Sequence, residues 1–94
     1  METVNGIGTR MIIAAGAETV GGDAVVYVLS ADSDGECFGI AVSKVRADGK
    51  VSESSYVRNL TGDRSFAERV FELVRRGTVT PCVLGEVIED LVGA

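Results

Sequence analysis

A chain of 94 residues, 46% hydrophobic and 24% charged, has the size and composition of one small globular domain rather than of a disordered polymer. It contains no His, which removes the usual general base near neutral pH and the commonest metal ligand, and so excludes Ser-His and Cys-His catalysis. Nine Lys and Arg against 14 Asp and Glu leave a net charge of −5, a balance that repels nucleic acid and anionic lipid at long range; Tyr27, Phe38, Tyr56, Phe66 and Phe71, with no Trp, offer little for base stacking.

Residues 1–9 read as a loose lead-in. Their Gly6-x-Gly8 pair stops short of a phosphate loop, because Met11 stands where the third Gly is due and no strand precedes it. Arg10 followed by the apolar run Met11 to Ala17 imitates a secretory signal, but the run is too short and its flank too poor in charge. No stretch approaches the ~20 apolar residues needed to span a bilayer.

Four strands follow. Residues 10–20 and the β-branched run 24–30 flank Gly21-Gly22-Asp23, a hairpin turn. Polar residues 32–36 lead into 37–45, where Phe38, Ile40 and Val42 alternate with Cys37, Gly39, Ala41 and Ser43, the period of a strand with two unlike faces. Asp48-Gly49 turns the chain at 47–49 into a fourth strand over 50–58, with Val51, Glu53, Ser55 and Val57 on one side.

The period then changes. Phe66, Val70, Phe71 and Val74 recur at helical spacing, predicting an amphipathic helix over 64–76. It starts either at Asp63 as N-cap or at Ser65 with Glu68 as a capping box, and ends at Gly77 in a left-handed conformation after Arg75 and Arg76. Thr80 as N-cap and Pro81 at the first position start a second helix over 81–92, whose buried stripe is Leu84, Val87, Ile88 and Leu91.

Phe38-Gly39-Ile40, Leu60-Thr61-Gly62-Asp63 and Val79-Thr80-Pro81 followed by Val87-Ile88-Glu89-Asp90-Leu91 occur in an order and spacing that resembles a family of small bacterial proteins of unknown function. The resemblance spans about residues 24–92 and implies β-strands followed by a C-terminal αα-hairpin; it brings no activity, cofactor or site residue with it.

Candidate chemistry is sparse. Cys82, the second residue of the second helix, lies near unpaired backbone N–H groups that favour a thiolate, but no His, Lys or neighbouring Cys accompanies it. Cys37 is a weaker candidate, on the small-residue side of its strand. Asp32-Ser33-Asp34-Gly35-Glu36 fails as a calcium loop, since Ser30 and Ala41 stand where an acid and a bidentate Glu are required. Asn59-Leu60-Thr61 matches a glycosylation sequon that a cytoplasmic chain would not use. Arg64 with Glu68, and Glu72 with Arg75 and Arg76, have the spacing of exposed helical ion pairs. Glu89 and Asp90 oppose their own helix dipole; either they are solvated, or they lie near the N-terminal end of the first helix, beside Arg64 and Arg58 at the end of the last strand.

The expected architecture is α+β in one domain over 1–94: a lead-in at 1–9, a four-stranded antiparallel meander over 10–58, and two helices over 63–93 packed on one face. Strands 11–19 and 24–30 are apolar on both sides, with Val25, Tyr27 and Leu29 on one and Val26 and Val28 on the other, so one apolar face is left uncovered. The functional expectation is a non-enzymatic, self-associating, homodimeric interaction module in the cytoplasm, meeting an unknown protein partner and neither nucleic acid nor membrane. It has no catalytic residue, cofactor or metal. The alternative is a thiol-based redox sensor or enzyme using Cys82.

Overall fold

A computed structural model describes residues 11–32 and 37–92, with the side chain of Val92 outside the description. The chain forms strands β1 (Met11–Val20), β2 (Asp23–Ala31), β3 (Phe38–Val45) and β4 (Val51–Thr61), then helix α1 (Arg64–Arg76), a 3-10 turn (Pro81–Val83) and helix α2 (Leu84–Val92). The strands pair antiparallel in the order β1-β2-β3-β4, so the sheet is a meander and the expected α+β arrangement is the one found. The lead-in and residues 33–36 lie outside the described residues.

Local chemistry explains the connections. Val20 pairs with Asp23 across Gly21 and Gly22, whose φ values of 60° and 91° are those of a primed two-residue turn that follows the twist of its strands. β3 returns through Ala47-Asp48-Gly49: the Arg46 and Lys50 backbones pair, Gly49 donates to the Arg46 carbonyl, and Gly49 takes the positive φ of 88°. The Asp48 carboxylate accepts from the Lys50 N–H at 3.0 Å and from Arg46 at 2.9 Å, closing the turn from outside.

The core lies between one sheet face and the helices. Val25, Tyr27 and Leu29 of β2, with Ile40 and Val42 of β3, have no exposed surface, and Val70, Phe71 and Val74 of α1 with Leu84 and Ile88 of α2 cover them. The register carries these positions across the sheet in rows, Ala14-Leu29-Ile40-Val57 and Gly16-Tyr27-Val42-Ser55. Asp63 caps α1, its carboxylate accepting from the Phe66 N–H at 3.3 Å, which decides between the two predicted starts.

Four details depart from the sequence expectations. β3 begins at Phe38 rather than Cys37, and β4 runs on to Thr61 rather than ending at Arg58. Phe38 faces Thr61 while Ile40 faces Val57, so β4 fits extra residues opposite Gly39 and brings Leu60 back into the core. Gly39 makes this possible: a Cβ there would lie 2.6 Å from the Val57 carbonyl oxygen and 2.9 Å from that of Arg58.

The third departure is at the end of α1. Gly77 has φ −80°, and Thr78 takes the left-handed conformation at φ 48°. The Thr78 N–H donates to the Arg75 carbonyl and the Val79 N–H to that of Val74, so the helix closes in a Schellman pattern with a β-branched residue where Gly is normally found. Fourth, residues 81–83 are a 3-10 turn ahead of α2, and the Thr80 hydroxyl makes no capping bond.

Gly39→Ala is expected to cost about 1–3 kcal/mol in urea unfolding, because its Cβ meets backbone rather than a movable side chain. Thr78→Gly is expected to stabilise by up to about 1 kcal/mol in the same measurement, by relieving the left-handed strain.

Candidate functional site

Cys82 sits on the exposed side of the 3-10 turn, 3.7 Å from the Thr80 hydroxyl, so its environment is a short turn rather than the first turn of an α-helix. Cys37 is half-buried just before β3, its N–H donating to the Asp32 carboxylate at 3.4 Å and its carbonyl accepting from the Asp32 N–H at 3.0 Å. No disulfide joins the two. The acidic stretch Ser33 to Glu36 is outside the described residues, and among those that are described no group of three His, Cys, Asp or Glu could hold a metal ion.

The helical ion pairs form at the expected spacings, Arg64 with Glu68 at 2.9 Å and Glu72 with Arg75 at 3.1 Å and Arg76 at 3.8 Å. Glu89 and Asp90 are exposed, and among the described residues neither makes an ion pair. No ion pair joins these acids to Arg64, which instead pairs with Glu68 on the next turn of its own helix, where no long-range ordering is required.

A polar junction that the sequence reading did not anticipate ties β1 to α1. Arg75 lies across β1 at Gly16, where a Cβ would come within 2.7 Å of its Cδ, and its guanidinium donates to Glu18 at 2.9 Å as well as to Glu72. The hydrogen bond and charge of Glu72, with those of Glu18, raise the Arg75 pKa further above its ordinary range. An isolated Gly within a strand signals close approach of another group; the approaching side chain, Arg75 from the far end of α1, is not readable from spacing.

Next to Gly16 in the same row, the Tyr27 hydroxyl donates to the Val79 carbonyl at 3.1 Å, fastening the turn after α1 to the centre of the sheet. Burial raises the Tyr27 pKa above its usual value, and the Glu18 carboxylate adds to the shift. These groups hold elements together; they do not converge on a space for substrate.

The sheet has a second face, turned away from the helices. Its rows read Ala15-Val28-Ala41-Tyr56 and Ala17-Val26-Ser43-Ser54, with Ile12, Ser30 and Gly39 at one end and Thr19, Ala24 and Val45 at the other. None of these residues is charged, in a chain 24% of whose residues are. Val26, Val28, Ala41 and Tyr56 are half-buried, and Ile12 is 63% exposed.

Residues 24–94 match the model of a family of unknown function, DUF6514. The chain belongs to this family. The match begins at the second residue of β2, so the family stretch includes β2 to β4 and both helices, while β1 precedes it. Neither a curated protein nor a solved structure matches the chain. No helix among the described residues is long and apolar enough to cross a membrane.

Tyr27→Phe is expected to cost about 0.5–1.5 kcal/mol at neutral pH through loss of the bond to Val79. The raised folded pKa means that the native state holds the phenol proton more tightly than the unfolded chain. The corresponding stability is fully present below about pH 10 and is lost as pH rises through the folded value. Urea midpoints measured from pH 8 to 11 should therefore fall less steeply in Tyr27→Phe than in the parent.

Proposed function

We propose that this domain is a non-enzymatic, self-associating protein-interaction module of the cytoplasm, and that a second copy of the chain packs on the sheet face turned away from the helices. The uncharged rows through Ala15, Ala17, Val26, Val28, Ala41, Ser43 and Tyr56 carry this reading. A sheet face that met only water would be expected to alternate core residues with charged ones. Here the positions opposite the core on β1, β2 and β3 are small or apolar.

Area supports the same occupant. Strands of eight to eleven residues, at about 3.3 Å per residue and about 4.8 Å apart, give the face about 500 Å². Two stacked copies then bury about 1,000 Å², the lower bound for a specific interface. The rows Ala15-Val28-Ala41 and Ala17-Val26-Ser43 bear no charge and can meet their own image across a two-fold axis without placing like charges together.

The test is light scattering of the purified chain at tens of micromolar, with Val28→Lys at the centre of the face. The parent is expected to be a dimer or larger and the variant to dissociate at least about tenfold more readily, equivalent to about 1.4 kcal/mol, with unchanged far-ultraviolet circular dichroism. Cys82→Ser should leave assembly intact. A monomeric parent would overturn the reading and leave residues 1–10 or a different protein as the cover of that face.

A further inference from the structure

Strand β1 is fastened differently from the rest of the sheet. Among the described residues, every buried hydrophobic side chain comes from β2, β3, β4 or the helices and none from β1. The family stretch, residues 24–94, includes all of them. Where β2 sets Val25, Tyr27 and Leu29 against the helices, the register gives β1 only Glu18, Gly16 and Ala14. Ile13, Ala14 and Val20 pack against the core and are only partly buried. Arg75 takes the place of an anchor: its side chain crosses Gly16, and its guanidinium donates to Glu18 at 2.9 Å. A polar clasp thus stands where a core side chain would otherwise hold the strand. Release of that clasp strands no cation, because Glu72, one turn back on α1, holds the same guanidinium at 3.1 Å. The Tyr27 hydroxyl fastens Val79 to β2, which keeps the end of α1 in place without β1. Gly21 and Gly22, both at positive φ and with nothing within 4 Å of where a Cβ would stand, provide a pivot.

We propose that β1 is a latched strand, which opens as a unit about Gly21-Gly22 while β2 to β4 and the helices stay folded, with Arg75 and Glu18 as the latch. Openings short of global unfolding draw on the elements with the fewest buried apolar contacts, and β1 is that element here. Ala15 and Ala17 belong to the uncharged sheet face, so an open β1 withdraws its part of that face. The latch on the helix side thereby controls the surface on the other side. This consequence rests on the self-association reading: contact with a second copy holds β1 closed, and opening of β1 weakens the contact by the same factor. The opening itself does not depend on that reading.

Native-state amide hydrogen exchange followed by nuclear magnetic resonance on the full chain tests the latch. The β1 amides bonded to β2 are expected to exchange at least about tenfold faster than the slowest amides of β3 and α1. Glu18→Gln should speed them at least about threefold, the scale of a partly exposed ion pair. Ile88→Val loosens the core that stays closed, so it should speed the β3 and α1 amides and leave those of β1 unchanged. Raising the parent from tens to several hundreds of micromolar should slow β1 exchange, and should not do so in Val28→Lys. A β1 that matches β3 in rate and in its response to Ile88→Val would belong to the global unfolding unit and overturn the proposal. Equal β1 rates in the parent and Glu18→Gln would overturn the latch. Selective opening that ignores concentration, in a sample that light scattering shows to be dimeric, would overturn the coupling to assembly. Selective opening in a chain that stays monomeric would support the latch and overturn the self-association reading instead.

Discussion

Burial of one row of side chains on a central strand sets the terms for everything else in this molecule. Val25, Tyr27 and Leu29 lie on the same side of β2 and are sealed by α1 and α2, together with Ile40 and Val42 from β3. Two short helices suffice to cover one side of a four-stranded sheet, and the alternation of a strand then consigns Val26 and Val28 to the other side. The second face is therefore a geometric consequence of the first, and its small, uncharged composition is the part that calls for a functional explanation.

The attachment of β1 follows a different logic from that of the other strands. β2 to β4 each contribute buried core side chains, whereas β1 contributes only the partly buried Ile13, Ala14 and Val20 and is held besides by its backbone ladder and by Arg75. Gly16 lets the aliphatic part of Arg75 lie flat on the strand, and Glu18 and Glu72 receive the guanidinium from two sides. The family match begins after β1, so the most weakly buried strand is also the one that lies outside the family stretch.

Most of the fold was legible in the sequence because its signals are local. Gly21-Gly22, Asp48-Gly49 and Asp63 act within a few residues of themselves, and the change of period after Leu60 separates sheet from helices. What escaped depends on contacts between distant segments. The length of β4 rests on the close approach of Gly39 to the Val57 and Arg58 carbonyls, which no periodicity encodes. The left-handed residue after α1 was assigned to Gly77 on intrinsic preference, but the chain must bring Val79 to the Tyr27 hydroxyl, and the turn that does so places Thr78 there instead. The spacing of Arg75 pairs it with Glu72 on an exposed helix face, and its grip on β1 depends on a strand far away in sequence. The candidate thiol, Cys82, was legible as a residue, but not the irregular turn that carries it.

The two tyrosines lie on opposite faces of the sheet. Tyr27 is enclosed beneath the helices, Tyr56 belongs to the uncharged face, and the chain contains no Trp. Ultraviolet fluorescence excited near the tyrosine band thus comes from two chromophores in separate environments, with no indole to mask them. Emission retained in a Tyr56→Phe protein reports on the interior, and emission retained in a Tyr27→Phe protein reports on the outer face. The molecule carries native optical probes that separate unfolding of its core from occupation of its surface.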